Sequence, residues 1–170
     1  DISHQSPGFG DDAQAAMGID TADIDHDGDW DLYLSDLYDT ENDALPLGNV
    51  LYLSDGAGNF ADNSAVEAGV EGAGSWGVNF FDIDHDSWED LFVATINPAD
   101  GDLLYRNNGR VGSKPVTFTR LATAAGITTG NARGSAVSDY DHDGDLDLAG
   151  VNDGGALQLF RNDSSNLGHW

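Results

Sequence analysis

A nine-residue acidic pattern, repeated three times, constrains this chain more than any other feature. It reads Asp23-Ile24-Asp25-His26-Asp27-Gly28-Asp29-Trp30-Asp31, then Asp82-Ile83-Asp84-His85-Asp86-Ser87-Trp88-Glu89-Asp90, then Asp139-Tyr140-Asp141-His142-Asp143-Gly144-Asp145-Leu146-Asp147. Each copy carries carboxylates at positions 1, 3, 5 and 9. Alternate residues of a tight turn face inward, so positions 1, 3 and 5 present three carboxylates to one point. Glycine at position 6 lets the chain reverse. The carbonyl at position 7 (Asp29, Trp88, Asp145) offers another oxygen, and the Asp at position 9 closes the cage. Such an oxygen cage suits a hard cation, and Ca²⁺ fits it better than Mg²⁺, which gives up its waters reluctantly. Three Ca²⁺ sites are therefore predicted, the middle one weakest because Ser87 stands where the others have glycine. Without a cation, carboxylates so clustered would repel one another.

An EF-hand is excluded on two counts. It needs a Glu at position 12, where this chain has Leu34, Val93 and Gly150, and it needs flanking helices. The flanks here read as strands. Position 4 should point away from an ion, so His26, His85 and His142 read as partly packed surface residues rather than a pH sensor or transition-metal site. Trp30, Trp76 and Trp88 read as packing between repeats rather than a sugar-stacking platform. Asn162-Asp163-Ser164 fits the N-glycosylation pattern, a short and weak match.

The loops mark an internal repeat of roughly 58 residues. A glycine precedes each loop by five residues (Gly18, Gly77, Gly134) and another by thirteen (Gly10, Gly69, Gly126). After each loop comes an apolar stretch, then a Leu-aromatic-x-Ser/Asn motif: Leu51 to Ser54, Leu104 to Asn107, Leu159 to Asn162. Residues 77–82, 90–96, 102–107 and 116–121 read as strands by alternation and by branched and aromatic content. Residues 58–62 are the first repeat's counterpart of the last of these. Turn pairs such as Asp55-Gly56, Asn108-Gly109 and Asp153-Gly154 separate the strands. Helix propensity is confined to single turns at 65–69 and 122–126.

Four short antiparallel strands per repeat describe a β-propeller blade. The expected class is all-β, with the tail of a preceding repeat at 1–9, blade 1 at 10–68, blade 2 at 69–125 and an incomplete blade 3 at 126–170. About three blades do not close a ring, so further blades from the same or neighbouring chains are expected. The start at Asp1 fits a processed protein or an excised segment.

Charge narrows the partners. The formal net charge is −25, and all six Lys and Arg lie after residue 105, where 24 acids have already passed. Nucleic acid is disfavoured, because phosphate contacts need Lys and Arg. Anionic lipid is disfavoured unless cations bridge to it. The acids cluster in register beside apolar strands, which argues against a disordered tail. Three bound Ca²⁺ would leave a net charge of about −19. No cysteine is present, so disulfides are silent on compartment. No apolar run of membrane-spanning length and no signal peptide appears.

A catalytic constellation is missing from the pattern: no Ser-His-Asp spacing, phosphate loop or cysteine nucleophile, and every acidic cluster is accounted for by metal. The loops, the glycine before them and the aliphatic strand after them resemble the FG-GAP/VCBS repeats of integrin α-subunit propellers and bacterial extracellular proteins. The first and third loops match that pattern fully, and the middle one departs at Ser87. Residues 159–170 also resemble the start of an ASPIC/UnbV segment. The resemblance implies that the four Asp of each loop bind Ca²⁺, and that the propeller serves adhesion, assembly or ligand binding. The expectation is a non-enzymatic calcium-binding propeller segment, extracellular, on the cell surface or periplasmic, acting on protein partners as scaffold or adhesion module. The alternatives are a carbohydrate-binding or polysaccharide-lyase propeller, with Arg106, Arg110, Lys114 and Arg120 as its only basic region, and a structural subunit of a filament or envelope complex.

Overall fold

The computed structural model describes residues 15–37, 48–61, 65–72, 74–96, 101–112, 114–121, 126–127 and 131–164. Among the described residues, ten strands and one helical turn form: β1 (Ala16–Ala22), β2 (Asp31–Asp36), β3 (Val50–Tyr52), α1 (Ala65–Ala68), β4 (Ser75–Phe81), β5 (Asp90–Thr95), β6 (Leu103–Asn107), β7 (Phe118–Arg120), β8 (Ala132–Ser138), β9 (Asp147–Asn152) and β10 (Leu157–Phe160). They form three antiparallel sheets, ordered β1-β2-β3, β4-β5-β6-β7 and β8-β9-β10. The fold is that of a partial β-propeller, with each acidic loop joining the first two strands of its sheet.

The fourth strand expected at 58–62 is reduced to one antiparallel bridge, Ser54 to Phe60. Residues 1–9, Gly10, residues 122–125 and residues 165–170 lie outside the described residues, so the expectations placed on them do too. Each first strand carries a register shift near its register glycine, between Ala16 and Gly18, Ser75 and Val78, and Ala132 and Gly134. The same irregularity in three sheets marks one structural repeat.

The middle sheet shows why the strands read as apolar runs. All six residues of β5 are buried. Leu91 and Val93 pack with Val70, Leu103, Tyr105 and Val116 against Tyr33 and Leu51 of the first repeat. Phe92 and Ala94 pack with Leu104 and Phe81 against Ala132, Ile127 and Leu148. A strand buried on both faces has no polar side to alternate with. The core is therefore two apolar layers, one on each side of the middle sheet.

Inner strands of neighbouring sheets approach closely. A Cβ at Gly18 would stand 2.2 Å from the carbonyl oxygen of Trp76, and one at Gly77 would stand 3.1 Å from the backbone nitrogen of Ser135. Phe80 donates its backbone N–H to Asp20 Oδ2 at 2.8 Å across the same junction. The glycine register thus records where one sheet presses on the next. Trp76 lies inside β4, beneath the Arg133 guanidinium 4.3 Å from its ring centroid, so it packs between repeats as expected.

Candidate metal centres

The three acidic loops have one geometry. Position 1 accepts the backbone N–H groups of positions 5 and 6: Asp23 from Asp27 and Gly28 at 3.0 Å each, Asp82 from Asp86 and Ser87 at 3.2 and 2.8 Å, and Asp139 from Asp143 and Gly144 at 3.2 Å each. Position 5 accepts the N–H of position 7 at 3.0–3.1 Å: Asp27 from Asp29, Asp86 from Trp88 and Asp143 from Asp145. These bonds curl the loop, and each carboxylate oxygen keeps a second lone pair. Ser87 holds a left-handed φ of 70° where Gly28 and Gly144 supply one freely, a conformation that costs a non-glycine residue energy. The middle loop closes all the same.

Position 9 does a different job. Asp31, Asp90 and Asp147 are at most 1% exposed. One oxygen accepts the N–H of position 2 (Ile24 at 3.1 Å, Ile83 at 3.0 Å, Tyr140 at 3.1 Å). The other accepts the N–H that follows the third strand's core (Ser54 at 2.9 Å, Asn107 at 2.7 Å, Asn162 at 2.8 Å). This carboxylate pins the loop to its own sheet. Burial pushes the carboxyls of Asp31 and Asp90 up to about 7, despite those backbone donors.

Carboxylate oxygens gather within 4.8 Å of one another in three groups: Asp23, Asp25 and Asp27; Asp82, Asp84 and Asp86; Asp139, Asp141 and Asp147. In the first two groups Asp31 and Asp90 stand outside that distance, and in the third Asp143 does. At position 7 only the backbone carbonyl was expected to contribute. The side chain of Asp145 instead lies buried, and that of Trp88 stacks on His26. Asp29 lies against Gly56, whose added Cβ would sit 2.3 Å from its carboxylate.

Whether these residues suit a cation can be judged from the position-3 carboxylates. Asp25 Oδ1 and Asp84 Oδ1 are both buried with no hydrogen-bond partner. Burial, and next the neighbouring carboxylates Asp27 and Asp86, push both carboxyls above the ordinary range. An orphaned buried acceptor is costly. Two at the same loop position, each beside two other carboxylates, fit a divalent cation.

The loops are not separate, as position 4 shows. All three histidines have left-handed φ, from 56° to 62°. His26 stacks on Trp88 of the next loop with ring centroids 3.9 Å apart, and its Nε2 lies 3.5 Å from Glu89. His85 Nε2 lies 2.8 Å from Asp145 Oδ1 of the third loop. His142 is exposed. The first two therefore tie loop to loop rather than merely lying on the surface. Two asparagines do the same from behind. Asn107 Nδ2 donates to Ile24 O at 2.9 Å, and Asn162 Nδ2 to Ile83 O at 2.8 Å.

Sequence reasoning named Arg106 and Arg110 only as a basic region and missed that they, and Arg161, pair with the loop carboxylates. Arg106 Nε meets Asp84 Oδ2 at 2.8 Å and its Nη2 meets Asp86 Oδ2 at 3.1 Å. Arg110 Nη1 meets Asp25 Oδ2 at 2.8 Å, and Arg161 Nη1 meets Asp141 Oδ2 at 3.5 Å. The signal was the Arg-Asn pair shared by Arg106-Asn107 and Arg161-Asn162. Lys114 lines a groove of about 420 Å³ with Asn108, Gly109, Val111, Pro115 and Thr117, and among the described residues its lining holds no carboxylate and no aromatic ring.

Residues 82–149 match the family model of the FG-GAP-like repeat. The match runs from the first Asp of the middle loop into β9, so it covers less than half of the chain and includes both the loop that carries Ser87 and the third loop. It stops short of residues 159–170, and the ASPIC/UnbV-like reading of that stretch has no support. No curated protein matches the chain at a significant level. Among the described residues, no helix is long and apolar enough to cross a membrane.

Proposed function

We propose that this chain is a calcium-dependent interaction module of the β-propeller type, non-enzymatic, working outside the cell as scaffold or adhesion surface for protein partners. One observation carries the metal part: the paired orphan oxygens of Asp25 and Asp84, each inside a three-carboxylate group. The FG-GAP-like match supports the interaction part. Ca²⁺ would be held by positions 1, 3 and 5 in the first two loops and by positions 1, 3 and 9 in the third, with the position-7 carbonyl as a further ligand. Bound there, it would supply charge neutralisation and cross-linking of the loop, without chemistry of its own. The chain's residues do the rest: position 9 anchors the loop to its sheet, and the asparagines and histidines carry that rigidity to the neighbouring loop.

The carbohydrate reading loses ground because Arg106 and Arg110 are engaged by loop carboxylates instead of converging on a cleft. The test of the metal reading is a thermal melt of the whole chain in EDTA, then with Ca²⁺ restored. A ligand that binds only the folded state raises its stability by about 2.7 kcal/mol at a hundredfold excess over Kd. A melting temperature indifferent to Ca²⁺ would sink the reading.

A further inference from the structure

The position-3 carboxylate of every loop meets an arginine, and the arginines come from different places. Arg106 and Arg161 stand at the end of the third strand of their own sheets. The first repeat has Leu53 at that register. Its loop is met instead by Arg110, from the turn after β6 in the next repeat. Residues 1–105 contain no Lys or Arg at all. The same charge thus reaches the same carboxylate by two routes, so its position does not merely follow the repeat register.

We propose that Arg106 and Arg110 are resident counter-cations that hold down the calcium affinity of the middle and first loops. The inference rests on the calcium reading above. Both guanidiniums take Oδ2 of their Asp and leave Oδ1 buried and unpaired. Arginine and cation therefore use opposite oxygens of one carboxylate, and neither has to displace the other. Without metal, the guanidinium relieves carboxylate repulsion and keeps the loop folded. With metal, it stays and repels it. A unit charge and a divalent ion a few Å apart in water repel by roughly tenfold in binding constant. Fixing the carboxylate rotamer favours binding by only about a few-fold, so repulsion wins. Arg106 grips two carboxylates, which gives the middle loop a second reason, beside Ser87, to be the weakest site. Arg110 reaches across the junction, so calcium at the first loop acts against one contact between repeats.

Calcium titration by calorimetry and paired melts of the full chain, in EDTA and in Ca²⁺, test this. Arg106→Gln and Arg110→Gln should each raise the product of the calcium binding constants by roughly tenfold. Both should lower the metal-free melting temperature and widen the calcium-induced rise, whereas a merely structural loss lowers both melts alike. Arg106→Lys, which keeps the charge, should stay near wild type. Arg133→Gln, whose partner Asp153 lies outside the loops, should leave the binding constants unchanged. The difference should shrink in about 1 M salt. A wild-type calcium response that Arg106→Gln leaves unchanged or weakens overturns this inference alone, and a wild type that does not bind calcium overturns both readings.

Discussion

Asn107 shows how much one side chain holds. It is fully buried, and its amide donates to Ile24 O of the previous loop and to Glu89 O of its own at 2.9 and 3.2 Å. Its Oδ1 accepts the N–H of Gly109 at 2.9 Å. Asn107→Ala leaves these groups without their partner, and each unsatisfied buried group costs about 1–3 kcal/mol. A loss of about 2–4 kcal/mol in denaturant melts is expected, and a loss below about 1 kcal/mol would show that the junction does not depend on it. The carboxylates around it were legible in the sequence, because alternation within nine residues fixes which groups share a turn. The partner of Asn107 was not, since 83 residues separate it from Ile24. Only its place in the Leu-aromatic-x-Ser/Asn register hinted at a role.

At the scale of the strand, three register glycines look alike in sequence but meet different surroundings. The Cβ of an alanine at 18 would run into the Trp76 carbonyl, whereas one at 134 would meet nothing within 4 Å. Gly18→Ala should therefore cost about 1–3 kcal/mol through forced backbone shifts. Gly134→Ala should be neutral or slightly stabilising, since alanine narrows the unfolded ensemble. Equal losses in chemical denaturation would contradict the packing described. The sequence marked the glycines as special, while the neighbouring sheet decides which of them are under constraint. The same contrast runs through the third strands. Leu51 and Leu104 are 1% and 2% exposed, and Leu159 at the same register is 51% exposed.

For the molecule as a whole, acid carboxyls buried at the starts of the inner strands β2 and β5 make stability depend on pH. Asp31 and Asp90 titrate near 7 in the fold and near about 4 when unfolded. Between those values the folded chain holds more protons, so metal-free stability falls as pH rises through about 4 to 7. Calcium favours the ionised form, so its stabilisation should grow over the same window. Melts in EDTA and in Ca²⁺ at pH about 5 and about 7.5 check both slopes. A metal-free protein that gains stability on going from the lower to the higher pH would count against this account.

The sequence by itself determined the acidic loops, the repeat that carries them, the all-β class and the antiparallel blade pattern. These follow from local rules: turn chemistry within nine residues, alternation along a strand, and self-similarity at a fixed period. Tertiary structure decided what the loops touch. It set His26 on Trp88, Asn107 on Ile24 and Arg110 on Asp25, all across the junction between repeats. It also showed position 9 to be a buried anchor that pins each loop to its own sheet. The physical reason is distance along the chain. Those three contacts join residues more than 60 positions apart, and their partners are fixed by how the apolar faces of β5 dock on both sides, which no local pattern records.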